Sequence, residues 1–202
     1  PSDAVRIPRI SPPEQTVEEA ILGFHGFHDS IVVPVYNSRT PAVALVNGPA
    51  AGGGMGFVLA FDFRFCSATA RFVSAFANIA QSGDCGISYG LERIVGRARA
   101  LEILMLSDSI NAEQALQLGI ANRVVPHDEL LTAGMEFCAR LAAGPTATYA
   151  RMKDNVTFAE THGYKEVLDR EAYHWKMSQL SEDHRRSVVA FLENRKPIFS
   201  GR

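Results

Sequence analysis

Cysteine is scarce. Three residues (Cys66, Cys85, Cys138) stand among 202, far apart and without a CxxC pair. An odd, scattered set excludes a disulfide framework and gives no zinc signature, so no metal is expected. Long apolar runs are missing too. None approaches the ~18 residues of a membrane-spanning helix, and no basic-then-apolar leader opens the chain. No membrane partner and a cytoplasmic location are therefore expected. An excess of one charge is also lacking, since 20 basic against 22 acidic residues leave −2. That speaks against nucleic acid or a membrane surface as partner, though not against a local basic pocket for a small anion. There is no internal repeat and no low-complexity linker. What is there is ordinary for a folded chain, 47% hydrophobic and 21% charged, which excludes disorder and coiled coil for the whole. A chain of this length favours one domain over two and buries roughly 70% of its unfolded surface without a staple.

Residues 1–15 read as an irregular, proline-rich arm. Thr16-Val17-Glu18-Glu19 has the spacing of a capping box, and Val17, Ala20, Ile21, Phe24, Phe27 and Ile31 follow at helical spacing to about Val33. Pro41 to Val46 reads as a buried strand. A turn from Asn47 to Gly56 holds Gly52-Gly53-Gly54, and Phe57 to Phe61 reads as a buried helix. Asp62 to Ser67 and Arg71 to Val73 read as short strands. From Arg97 onward only helices are expected, at 98–106, from Asn111 to a stop at Gly119, from Asp128 to Gly144, at 146–160, at 164–180 and from Ser181 to Leu192. A strand-rich first half and a helical second half indicate an α/β or α+β domain.

The glycine turn is the first functional signal. Three glycines between a strand and a helix let a ligand approach the backbone closely. The first helical N–H groups then face either a phosphate or a carbonyl oxygen that becomes negative in a transition state. A phosphate site is not supported, since no Gly-Lys-Ser/Thr and no GxGxxG spacing is present. Tight helix–strand packing explains the glycines equally well.

At this point a resemblance enters. The stretch Pro41-Ala-Val-Ala-Leu-Val-Asn-Gly-Pro-Ala-Ala-Gly-Gly-Gly-Met-Gly56 resembles the signature of the crotonase (enoyl-CoA hydratase/isomerase) superfamily. Ala70-Arg71-Phe72, the run Arg93 to Glu102, the run Ile110 to Pro126, and the tail from Glu182 to Arg202 agree in order. The resemblance implies a spiral β-sheet core of the ClpP/crotonase kind at 16–140 and a C-terminal helical region at 141–202 used in trimerisation. It implies a homotrimer or a dimer of trimers, and an acyl-CoA thioester as substrate with no cofactor beyond the coenzyme A it carries. Gly53 matches the second of two backbone donors to the thioester oxygen, with Gly52 and Gly54 beside it. Nothing before Thr16 resembles the first donor or the family's opening strands, so a longer front is expected.

Hydratases of the family hold water between two glutamates, one base and one acid. Without gaps, those positions fall here on Gly56 and Phe76, neither of which moves a proton. Asp84, in Ser82-Gly83-Asp84-Cys85-Gly86, is the carboxylate left. The branch of ring-1,2-epoxyphenylacetyl-CoA isomerases resembles this chain in an Asp-Cys-Gly triplet and in Phe72-Val73-Ser74-Ala75-Phe76. There one aspartate works alone. Such a base needs a dry pocket, for which Phe72, Phe76 and Ile79 are the candidates. An ordinary turn role explains an Asp before glycine as well. The 4-chlorobenzoyl-CoA dehalogenases also carry aspartate here, as a nucleophile, with a tryptophan at the Phe76 position and a histidine on the preceding helix. The ungapped register puts Asp29 at that histidine position, one step after His28.

His25 and His28 lie three apart on a helix, but without further ligands they read as surface or interface residues. Cys85 reads as a small buried residue rather than a nucleophile. Trp175 and Met177 read as core or subunit contact. Lys196 and Phe199, with Arg195, match a family tail that touches coenzyme A; a solvated tail is the alternative. The expected activity is acyl-CoA isomerisation by Asp84, with Asp-nucleophile dehalogenation and a non-catalytic CoA-thioester-binding subunit as alternatives.

Overall fold

The computed structural model describes residues 15–202. Most of the arm expected over 1–15 lies outside them. The first described element is a long helix in three parts. Helix α1 (Val17–Phe27) leads through a π-helical turn (His28–Val32) into α2 (Val33–Tyr36). The capping box is present. The Thr16 hydroxyl accepts from the Glu19 amide at 3.2 Å, and the Glu19 carboxylate accepts from the Thr16 amide at 2.8 Å. The periodicity is right, but its apolar face is not core. Val17 is 71% exposed and Phe24 56%, and no residue of α1 is buried.

Strands β1 (Val43–Val46), β2 (Pro49–Ala51), β3 (Phe63–Ser67) and β4 (Arg71–Val73) alternate with α3 (Gly53–Leu59). Helix α4 (Ile87–Leu106) is broken at Gly96, whose φ of 74° no helix interior allows. Then come β5 (Ile110–Asn111), α5 (Ala112–Gln117), β6 (Arg123–Val125) and α6 (Leu130–Ala142). Two three-stranded sheets result. One has the order β1-β3-β6 and is parallel. The other has the order β2-β4-β5, with β5 antiparallel. Parallel strands joined through helices must be covered on both faces. Phe72, Met55, Leu91 and Ile87 cover one side. On the other, Phe137 of α6 packs against Phe63 and Phe65, with ring centroids 5.0 and 4.9 Å away.

Three expectations need correction. Strands β5 and β6 lie beyond Arg97, where only helices were expected. Two- and three-residue strands are too short to show alternation, and they exist because β4 and β3 offer open edges. Helix α3 starts at Gly53, inside the glycine run rather than after it. Helix α4 starts at Ile87, eleven residues before the expected 98. The capping box at Asn111 and Gln114 and the stop at Gly119 are as expected.

Helices α7 (Thr146–Ala159), α8 (Tyr164–Gln179) and α9 (Glu182–Leu192) complete the described residues. Lys153 of α7 reaches the Asp62 carboxylate at 2.9 Å, and that carboxylate also accepts from the Ala42 amide at 2.7 Å. Buried Asp183 clasps the tail. Its oxygens accept from the Ser200 and Gly201 amides at 2.7 and 2.9 Å. Burial alone would raise its pKa, but those N–H groups hold it below the ordinary carboxylate range. A carboxylate with a lowered native pKa stabilises the fold above its unfolded pKa, and this is lost as pH falls through the lowered value. Asp183→Asn should therefore destabilise the fold at neutral pH by about 1–3 kcal/mol. It should also flatten the loss of stability on the acid side. Denaturant unfolding from pH 7 to pH 3 measures both.

Candidate active site

The site forms where α3, the π turn and the start of α4 converge. Gly52, at φ 53°, turns the chain into α3, and its amide donates to the Val73 carbonyl at 3.0 Å. The Gly53 amide, next in line, has no partner within the helix. Opposite runs Gly83-Asp84-Cys85-Gly86, with φ of 128° at Gly83, 52° at Cys85 and 72° at Gly86. A left-handed cysteine is an uncommon, strained conformation of the kind concentrated at functional sites. This turn presses on α3. A Cβ on Gly56 would lie 2.7 Å from the Asp84 carbonyl oxygen and 2.9 Å from that of Cys85. No glutamate fits there unless the turn moves. Gly56 is thus a packing requirement of the turn that presents Asp84.

The Asp84 carboxylate is shared. Oδ1 lies 2.6 Å from His28 Nε2 and also accepts from the Cys85 amide at 2.6 Å. Oδ2 has no hydrogen-bond partner among the described residues. It lies 3.7 Å from where a Gly53 Cβ would be, so it faces the glycine turn. Both side chains of the pair keep some solvent access, 32% for His28 and 24% for Asp84. His28 was expected to be a surface or interface residue, with Asp29 in register. Instead His28 meets Asp84 and Asp29 is exposed. The π turn explains the one-residue difference, because it holds one residue more than an α turn.

Cys85 is buried, as expected, with its thiol pKa pushed up by burial and by Asp84 beside it. His28, Asp84 and Cys85 bring three potential metal-ligand atoms within 4.8 Å of one another. A metal needs the thiolate, which these surroundings disfavour. The trio is accounted for by its own hydrogen bonds.

The other expected residues separate. Phe76 is buried, with its ring edge 3.7 Å from a Cβ on Gly52. A Cβ on Gly54 would meet only open space. Phe72 is fully buried in the core below. Ile79 is 66% exposed, so it does not dry the site in this chain. It lies on a single 3₁₀ turn (Ala77–Ile79). Lys196 is exposed and Phe199 half-buried on the clasped tail, and neither bonds to Asp84. Trp175, 66% exposed, is not core here. Beyond Cys85 and Gly56 an open cavity of about 920 Å³ runs along α2 and α4 to Glu160. Its residues Tyr36, Tyr89 and Glu160 escaped sequence reasoning, because a tyrosine four residues along a helix carries no signature of its own.

The sequence pattern of the enoyl-CoA hydratase/isomerase family matches residues 23–202. The chain belongs to this family. Its fold agrees with a crystal structure of an enoyl-CoA hydratase from Polaromonas sp. JS666. That match has TM-score 0.87 and 27% identity, over 92% of this chain and 72% of that one. Among enoyl-CoA hydratase/isomerase relatives, the 1,2-epoxyphenylacetyl-CoA isomerase of Escherichia coli is 33% identical over 176 residues. The match spans 87% of this chain and 67% of the relative. A probable enoyl-CoA hydratase of Rhodobacter capsulatus is also 33% identical, with 68% of its length covered. A 4-chlorobenzoyl coenzyme A dehalogenase of Arthrobacter is 32% identical over 130 residues, 64% of this chain and 47% of the relative. The chain thus spans about two thirds of the first two curated relatives and under half of the third.

The tight contact at Gly56 is directly testable. Gly56→Ala should destabilise the fold by about 1–3 kcal/mol, because backbone rather than a flexible side chain must give way. An unchanged denaturation midpoint would show that the turn is not held as described.

Proposed function

We propose that the chain acts on an acyl-CoA thioester by isomerisation, with Asp84 as its acid/base and the Gly53 amide as a donor to the thioester oxygen. The supporting observation is the free Asp84 Oδ2, held toward Gly53 while Oδ1 is occupied. In this mechanism Oδ2 takes a proton from a carbon next to the unsaturation. The electron pair moves toward the thioester, whose oxygen gains charge and accepts from Gly53. The same aspartic acid returns the proton to another carbon, so no atom is gained or lost. His28 is a positioning residue here, since it fixes Oδ1 and leaves Oδ2 to react. Coenzyme A belongs to the substrate, and no further cofactor enters.

The contact with His28 supports a second reading. An imidazole beside a carboxylate can take a proton from water. Asp84 Oδ2 would then attack a halogen-bearing ring carbon, halide would leave, and a water deprotonated by His28 would hydrolyse the aryl ester. Phe76, without an indole N–H, counts against it.

Asp84→Asn keeps size and shape but cannot take a proton, so isomerisation of an unsaturated acyl-CoA should fall roughly 10²–10⁴-fold, with thioester affinity kept. Wild type and variant are compared in the same length of chain. Equal turnover by both would refute Asp84 as acid/base. A covalent adduct on Asp84 in a single turnover, seen by mass, would assign the nucleophilic reading. Binding without turnover in the wild type would assign a non-catalytic role. Hydration of crotonyl-CoA should be negligible, because Gly56 and Phe76 stand where glutamates would. A hydratase turnover in the usual enzyme range of ~1–10³ s⁻¹ would contradict this.

The same reading includes a trimer or a dimer of trimers. The exposed apolar residues of α1, with Trp175, Val188 and Phe191, form surface that single chains seldom leave open. Light scattering should give at least three times the chain mass, and a stable monomer at micromolar concentration would overturn it.

A further inference from the structure

The open cavity has a polar end that the proposed chemistry does not use. On one of its helices His28, Val32 and Tyr36 recur every four residues. On α4, Tyr89 and Arg93 lie four apart, and Cys85 stands in the turn just before that helix. Residues four apart share a helix face, and Val32, Tyr36, Tyr89 and Arg93 all line the cavity. The two segments meet at two levels. His28 touches Asp84 at the first, and the Tyr36 and Tyr89 hydroxyls lie 3.0 Å apart at the second. Eight residues of helix separate His28 from Tyr36, on the order of 10 Å. Between the levels the wall is mainly apolar, with Val32, Leu59 and Ile94 among its residues.

At the far level both tyrosine hydroxyls hydrogen-bond Glu160 Oε2. Arg93 stacks its guanidinium 3.4 Å above the Tyr89 ring, with Nε 3.6 Å from the same carboxylate oxygen. Burial, and then the hydrogen bond to Glu160, push the Tyr36 pKa far up, so this phenol keeps its proton. Two phenol protons serve three contacts, so none is free for a ligand. Lone pairs remain on the tyrosine oxygens, and Glu160 Oε1 has no hydrogen-bond partner among the described residues. The cluster is short of donors and rich in acceptors. A ligand group that completes it must bring a hydrogen-bond donor, and a hydroxyl is the smallest neutral one.

We propose that this cavity receives an acyl group carrying a hydroxyl at its far end, read by Tyr36, Tyr89 and Glu160. The inference rests on the acyl-thioester reading above and adds a selectivity to it. Because the cluster is largely satisfied when empty, discrimination should be moderate rather than absolute.

The test is calorimetric binding of matched hexanoyl-, octanoyl- and decanoyl-CoA, each with and without a terminal hydroxyl. The three lengths bracket the span between the two levels. For at least one length the hydroxylated member should bind about five- to tenfold tighter. Tyr36→Phe and Tyr89→Phe keep both rings and should shrink that preference while leaving the unsubstituted partner's affinity nearly unchanged. Equal affinities within every pair would overturn the inference and leave the acyl-thioester reading intact. So would a preference that survives both variants. If no acyl-CoA binds at all, both fall. The comparison within wild type needs no variant, so poor folding of a mutant does not blunt it.

Discussion

The contact on which the site depends is between two pieces of backbone. The carbonyls of Asp84 and Cys85 sit so close to α3 that only glycine fits at position 56. That contact sets where Asp84 is, and hence which of its oxygens is occupied and which is free. It also excludes any side chain at position 56, because the carbonyls fill the space a Cβ would need. A left-handed Cys85 is what this close approach costs the turn, and burial of Cys85 between the turn and Gly53 offsets it.

His28 then divides the labour of the carboxylate. With both Oδ1 partners in place, Asp84 cannot rotate without losing two short hydrogen bonds. Hydrogen bonds to a charged group are worth ~1.5–3 kcal/mol each, enough to fix a side chain with two rotatable bonds. The π turn is what makes this pairing possible. In an uninterrupted α-helix the residue one step on, Asp29, would occupy that angular position, and two carboxylates would face one another. An acid there would repel Asp84, whereas an imidazole holds it.

How much of this could be read from residues is uneven, for physical reasons. The capping boxes at Thr16 and Asn111 were legible because they are local, with both partners within three residues. Gly53 and Asp84 were singled out through the resemblance, and Asp84 alone would have passed for a turn residue; the structure adds that the two face one another across the glycine turn. His28 was not legible, because a single extra residue in a helical turn leaves no trace in hydrophobic spacing. Strands β5 and β6 escaped because their existence depends on edges supplied by distant segments. The long helix was placed correctly and its apolar face misassigned. Periodicity reports that a face is apolar, not what covers it.

The same limit bears on Tyr36, Tyr89 and Glu160. They are 53 to 124 residues apart in sequence and meet only because α2, α4 and α7 surround one cavity. Each alone is an ordinary half-buried or exposed polar residue. Together they place a charged acceptor at the end of an apolar space, where its interactions are screened less than in water. A purely hydrocarbon acyl group would gain nothing from such a terminus, and van der Waals contact with Val32 and Leu59 would hold it as well without one. Arg93 and two phenols would then serve only to neutralise a glutamate that a leucine could replace at lower cost. The cluster gains a physical purpose once something arriving in the cavity can donate to it, and the helix that leads from His28 to Tyr36 sets the length at which that donor must sit.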